Sequence, residues 1–384
     1  MRTESHLQSL PYIIIGLTPQ GLSLLRTFSR AGATVYAFYN SYKNVGRFSK
    51  YGVKKYFETI DSLKEQIAAI IAKFHCKPIC YIASGEMLAL ILSEFPELYA
   101  MCNVSSGPFD VIKDLAHKDR IYNYARSLGF SIPDYVTLDS YNPGCIKFPA
   151  FIKRNYEIKL FFKAEKIKDE SELMEYMSRI DKNDLKDIIL QEYISGDKIF
   201  YLSSQCFFVD GRLAGCLITN EKRRFKNGIT STAEELPDSK LKSEIEGLCT
   251  NFFFKPAPDS SEISSSNHLP YRHYSGLADF EFIYDARNDK LWFMEINTRS
   301  SGLQSSLVAK FSNIAEVLLN PDKYIKLIPA VERVRWMNIL RDIRVRLRYR
   351  NFSNLTDIFH SSFDDWDVRD PRPFFSTLLP KKKL

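Results

Sequence analysis

The chain has 384 residues, 45% hydrophobic and 26% charged, with a net charge of +7, which describes a globular protein long enough for two or three subdomains. No apolar run approaches a membrane span, and the amino-terminal stretch MRTESHLQSLP lacks the apolar centre of a signal peptide. Seven cysteines scattered singly argue against a disulfide framework, so a reducing cytoplasm is the expected compartment.

From Pro11, the run PYIIIGLTPQGLSLLRTFSRAGATVYAF reads as an apolar strand, a glycine turn, an amphipathic helix and a second strand, a Rossmann-like start. Gly16 and Gly21 are spaced G-x-x-x-x-G instead of the G-x-G-x-x-G that closes on a dinucleotide pyrophosphate. Asn40 and Ser41 stand where an acidic residue would meet a ribose. A nicotinamide-dependent oxidoreductase is therefore a poor reading. A third strand ends at Ser84-Gly85-Glu86, and ligands gather at strand carboxyl ends of open parallel sheets, which makes Ser84 and Glu86 candidate substrate contacts. His75, Cys76 and Cys80 around a Lys-Pro turn read as buried or incidental groups.

The segment GPFDVIKDLAHKDRIYNYARSLGFSIPDYVTL places Lys118 near the start of a helix that Gly129 ends and Pro133 keeps from resuming. In KFPAFIKRN, Phe151 and Ile152 form a short strand with Lys153 at its end. The following NYEIKLFFKAEKI contains no glycine. IILQEYISGD is an apolar strand running into a Ser-Gly-Asp turn, and residues 199–219 alternate as strands around Asp210-Gly211-Arg212. In the basic run that follows, strand alternation lets only one of Arg223 and Arg224 face the same side. PAPDSSEISSSNHLPYRHYS, residues 256–275, has little to bury and reads as a mobile loop in which His268, Arg272 and His273 are surface groups.

GLADFEFIYDARNDKLWFMEINTRSSG, from Gly276 to Gly302, reads as two strands joined by a polar turn. Asp279 and Glu281 share one face, opposite Phe280, Phe282 and Tyr284; Phe293, Glu295, Asn297 and Arg299 line one face of the second arm, opposite Trp292, Met294 and Ile296. Carboxylates and an amide meeting on one face repel unless a cation lies between them, and oxygen-only donors favour magnesium or manganese. Asn297 adds an oxygen without further charge, and Arg299 points toward an anion held there. A solvated hairpin face is the competing reading.

Residues 331–384 hold 12 basic and 7 acidic residues. As a strand, DIRVRLRYR would align four arginines on one side, and as a helix it would spread them. Nucleic acid, anionic lipid or a nucleotide-linked substrate would each suit such a surface, as would plain solvation with the aliphatic residues docked on the body.

Glu-Phe in one strand followed by Glu-Ile-Asn-Thr-Arg in the next resembles the metal hairpin of the ATP-grasp superfamily, and the upstream motifs fall in that family's order. The FDDWDVRDPRPFFSTLLPKKKL tail resembles the carboxylate–amine ligases, the group that includes D-aspartate ligase. The resemblance implies an α/β (α+β ATP-grasp) fold: a Rossmann-like domain over 1–115, an ATP-grasp module over 116–330 with its lid at about 147–190, and a basic extension over 331–384 packed on the body. It implies that Glu281, Glu295 and Asn297 hold Mg2+ (or Mn2+) bridging the phosphates of ATP, and that Lys118 and Lys153 reach those phosphates. Gln191, Glu192 and Ile194 would form the adenine hinge, with Asp197 near the ribose. Arg224 would clamp phosphate or acyl-phosphate, and Arg299 would stabilise an oxyanion. The implied activity is ATP-dependent amide formation between small-molecule or nucleotide-linked carboxylate and amine substrates, with ADP and phosphate released. Nucleic acid is not the expected partner, and peripheral membrane contact through the basic tail stays open. The glycine-free lid departs from the family pattern. Either it closes through side chains such as Lys163, or the chain is a catalytically weak ATP-binding regulatory or scaffold protein.

Overall fold

The computed structural model describes residues 10–156, 164–225, 228–254 and 271–378. Lys163, His268 and most of the Ser-rich stretch lie outside the described residues, as does the side chain of Arg272.

Five parallel strands come first: β1 (Pro11–Ile15), β2 (Thr34–Tyr39), β3 (Val53–Tyr56), β4 (Ile79–Ile82) and β5 (Asn103–Val104), in the order β3-β2-β1-β4-β5. In β1, Ile13 and Ile15 enter one hydrophobic cluster while Tyr12 and Ile14 enter another, so both faces are covered, as a parallel sheet requires. The glycines serve close packing: a Cβ on Gly21 would lie 1.9 Å from the carbonyl oxygen of Gly16, where φ is 101°. The helix Pro19–Arg30 therefore presses directly on the turn after β1.

A four-stranded antiparallel sheet follows, built from β6 (Tyr135–Thr137), β7 (Ala150–Arg154), β8 (Glu165–Ile167) and β9 (Ile188–Glu192) in the order β6-β9-β7-β8. Its own small core comprises Leu138, Ile152, Ile167, Leu173 and Leu190 among others. The third sheet is the largest. It joins β10 (Ile199–Val209), β11 (Arg212–Arg224), β12 (Thr230–Glu235), β13 (Gly276–Asp285), β14 (Lys290–Asn297), β15 (Arg335–Met337) and β16 (Ser361–Ser362), ordered β14-β13-β10-β11-β12-β15-β16. Residues beyond 331 thus supply two strands to this sheet as well as covering it.

DIRVRLRYR lies in a helix, Ile339–Tyr349, capped by the Asn338 side chain accepting from Arg341 N–H at 3.0 Å. Only Asp342, Val345 and Arg346 are buried there, while Ile343 and Leu347 face outward, so the aliphatic residues dock on the body only in part. The carboxyl-terminal segment is fastened to the helix Pro19–Arg30 by Arg26, whose guanidinium reaches Asp370 Oδ2 at 3.0 Å and the carbonyls of Asp364, Asp365 and Asp370. All seven cysteines are free thiols. Among the described residues no helix is long and apolar enough to cross a membrane.

Candidate nucleotide and metal site

A cavity of about 770 Å³ lies between the four-stranded sheet and the carboxyl-terminal hairpin β13–β14. Of the residues expected at the site, Lys118, Lys153, Gln191, Glu192, Ile194, Arg224, Glu281 and Glu295 line it.

The hairpin register builds the acidic wall. Glu281 lies opposite Glu295 and Asp279 opposite Asn297. Directly after that pair the register slips, so that Phe282 faces Phe293 and Met294 becomes an extra residue on the second strand. This bulge corrects the simple alternation expected from sequence. Phe293 leaves the acid face and joins Phe280, Phe282 and Ile296 in the core, while Met294 lines the cavity. The Nδ2 of Asn297 donates to Glu281 Oε1 at 3.0 Å and to Glu295 Oε1 at 3.3 Å, and Arg299 donates to Asn297 Oδ1 at 2.9 Å. Asn297 and Arg299 thus lie behind the carboxylates, beside a second small pocket that they share with Lys118.

Two lysines converge on this wall from separate elements. Lys118 opens the helix Lys118–Ser127 and Lys153 lies in β7. Asn155, just past that strand, ties them together: its carbonyl accepts from Lys118 N–H at 2.9 Å, and its Oδ1 accepts from Asp119 N–H at 3.0 Å. Lys118 Nζ donates to Glu295 Oε2 at 2.8 Å and Lys153 Nζ to the Tyr122 hydroxyl at 2.6 Å. Burial alone would raise the Glu295 carboxyl, but Lys118 and Lys153 hold it down at about 2. Glu281 goes the other way. Burial pushes it well above the ordinary glutamate range, helped by Glu295, Asp279 and Glu221.

A carboxylate that resists ionising beside one that stays ionised is the electrostatic state a divalent cation relieves. The donors are oxygens on adjacent strands, so the set fits a hard ion held by Glu281 and Glu295. The oxygen of Asn297 would complete the set after the amide turns, since its nitrogen now bridges the two acids. Among the described residues no group of three or more His, Cys, Asp or Glu side chains is placed to hold a metal ion.

Apolar surface from both walls suits a nucleotide, with Phe151, Tyr193 and Ile194 on the side of the four-stranded sheet and Leu202, Ile283 and Met294 on the side of the large sheet. Lys166 Nζ lies 4.0 Å from the Tyr193 ring centroid. The N–H groups of Glu192 and Tyr193 are engaged with Asp134 O at 2.8 Å and Pro149 O at 3.4 Å. The side chain of Gln191, only 1% exposed, has an Nε2 without a partner at the cavity lining. Asp197 is not brought to the cavity. It is exposed and pairs with Arg287 in the hairpin turn, because the loop between β9 and β10 carries it outward.

Arg224 and Arg223 part company, as alternation requires. Arg224 lines the cavity, 3.6 Å from the Tyr201 ring centroid and with Nε 2.7 Å from Glu221 Oε2. Arg223 turns to Asp342, at 2.7 Å, and Asp357, at 3.4 Å, in the carboxyl-terminal segment. Register shifts on both sides of Arg223 put Glu221 on the same side as Arg224. Sequence reasoning passed over Glu221, and strict alternation would have grouped it with Arg223. It also passed over Tyr122, for which the i, i+4 spacing from Lys118 on one helix was the available signal. His273 is exposed and paired with Asp210.

Neither a protein-family model nor a curated protein sequence matches the chain. Solved structures do. N5-carboxyaminoimidazole ribonucleotide synthetase from Thermus thermophilus superposes with a TM-score of 0.61 at 14% identity, covering 84% of this chain and 81% of that one. The L-amino acid ligase of Bacillus licheniformis gives 0.58 at 16% identity, covering 85% and 79%. The biotin carboxylase domain of the Hydrogenobacter thermophilus 2-oxoglutarate carboxylase, solved with MgADP and bicarbonate, gives 0.59 at 14% identity over 82% and 71%. All three are ATP-grasp enzymes, and this chain has the ATP-grasp fold.

Proposed function

We propose that the chain is an ATP-dependent carboxylate–amine ligase that forms an amide through an acyl-phosphate and releases ADP and phosphate. The observation that carries this reading is the convergence of Lys118, Lys153, Glu281 and Glu295 on one wall of a cavity large enough for a nucleotide. In this reading residues 1–115 help hold the non-nucleotide substrate, 116–330 bind ATP and magnesium, and 331–384 brace the cavity wall.

Magnesium held by Glu281 and Glu295 would draw charge from the phosphates. The chain's own groups do the rest. Lys118 exchanges its contact with Glu295 for phosphate oxygen, and Lys153 leans from Tyr122 toward the same group. Arg224 balances the charge at the far side beside Glu221. Arg299 would release the Asn297 oxygen it now holds when the amide turns to the metal, freeing its guanidinium for the oxyanion formed by amine attack. The two substrates are small molecules; D-aspartate-type ligases suggest an amino acid as one of them.

The absence of glycine from Asn155 to Ile167 favours one other reading, a nucleotide-binding regulatory protein without turnover. Phosphate release is the experiment that separates the two. The parent is supplied with Mg-ATP and panels of carboxylic acids and amines. A ligase releases phosphate only with a cognate acid and amine. Tight ATP binding with no stimulating pair overturns the ligase reading in favour of the regulatory one.

A further inference from the structure

Six of the 19 large apolar side chains exposed among the described residues fall between Ile343 and Phe359. Leu347 is 62% exposed, Leu355 59% and Phe359 83%. Ile343 and Leu347 are four residues apart on the helix Ile339–Tyr349, and Arg344 and Arg348 form the adjacent row, so one face is apolar and its flank cationic. Tyr349 closes the helix exposed, and Arg350 and Phe352 are exposed just past its end.

The acids of this region are turned inward. Asp342 receives Arg223 at 2.7 Å, Arg346 at 2.5 Å and the Ser231 hydroxyl at 3.1 Å. Asp357 receives Arg335 at 2.9 Å and Arg223 at 3.4 Å. No other acid occurs between Ile339 and Ser362, so the outward charge is arginine alone. The inner contacts fix the helix rotation, and with it the exposure of Ile343 and Leu347.

We propose that this face docks the protein on an anionic lipid bilayer, with Leu347, Leu355 and Phe359 entering the interface and Arg344, Arg348 and Arg350 meeting lipid phosphates. Three observations choose that occupant. The charge is of one sign and complementary to acidic headgroups, and arginine stems can lie along apolar surface while the guanidinium stays in the polar layer. A second copy of the chain meeting the same face across a two-fold axis would set arginine rows against each other. Phosphodiester backbones and bases offer nothing to the aliphatic Ile343, Leu347 and Leu355. The proposal does not depend on the ligase reading.

The test is co-sedimentation of the full chain with vesicles of equal phosphatidylcholine and phosphatidylglycerol, against vesicles of phosphatidylcholine alone, over a range of salt. The protein should pellet with the anionic vesicles only, and less at high salt. Arg344→Ser with Arg348→Ser should weaken binding by about 25-fold, at roughly five-fold per arginine. Leu347→Ser with Phe359→Ser should weaken it by about ten-fold or more. Thermal unfolding and nucleotide binding should match the parent in both variants, since these side chains are exposed and remote from the cavity lining. Failure to pellet with anionic vesicles overturns the proposal, as does pelleting that survives both double variants. So does pelleting lost only when Lys381, Lys382 and Lys383 are changed to Ser. Concentration-dependent dimerisation without lipid, abolished by the same variants, would assign the face to a second copy instead.

Discussion

The ammonium of Lys118 lies 2.8 Å from Oε2 of Glu295, a residue 177 positions further along the chain. One side chain is expected at the phosphates and the other at the metal, and here they satisfy each other. Lys118→Met removes a charged donor and leaves the carboxylate to the remaining lysine. ATP affinity should fall by about 1.5–3 kcal/mol. Isothermal titration with Mg-ATP measures it, and an unchanged affinity would separate Lys118 from the phosphate site.

Glu281 should show opposite effects on stability and on binding. Its carboxyl is pushed up by burial and by Glu295, Asp279 and Glu221, so ionising it works against the fold. Without divalent cation, Glu281→Gln should leave the melting temperature equal to or above the parent's at neutral pH. The same variant should lose magnesium-dependent nucleotide binding. A lower melting temperature together with intact Mg-ATP binding would show that Glu281 is a structural residue.

The Arg26–Asp370 pair supplies a pH dependence. Burial raises Asp370, but Ser49, the Lys50 N–H and Arg26 outweigh it and hold the carboxyl below its ordinary value. An unfolded aspartate titrates near ~3.9, so the stabilisation is complete above that value and is lost as pH falls through the folded one. Asp370→Asn should cost about 3 kcal/mol at neutral pH, the low end for a broken buried ion pair, because Arg26 keeps three carbonyl acceptors. It should also flatten the acid limb of the stability curve, read by urea unfolding from neutral pH downward.

Arg299 touches Asn297 and the Ser300 carbonyl and lies outside the large cavity. Arg299→Ala should therefore leave ATP affinity within a few-fold while abolishing substrate-dependent phosphate release, since its charge acts on what forms after the nucleotide binds. A proportional loss of both would place Arg299 on the nucleotide instead.

The hairpin was legible because two carboxylates, an amide and an arginine at spacing two stand out against an apolar alternation. So was the Rossmann-like start, since period and turn residues are local properties of the chain; alternation separated Arg223 from Arg224 without saying which faces the cavity. Tertiary structure decided the rest. The extra residue at Met294 moves Phe293 from the acid face to the core, and a bulge of that kind is set by the partner strand. The orphaned amide of Gln191 and the outward placement of Asp197 depend on which neighbours occupy the backbone donors and where a loop exits. The arginine-rich strip folds as a helix in which Asp342 meets Arg223 and Ser231 of the large sheet while Arg346 meets Asp342 and the carbonyls of Ser353 and Asn354, and those partners fix its rotation. Sequence specifies periodicity and chemistry residue by residue, but register, rotation and the pairing of distant charges are settled only when separate segments compete for the same contacts.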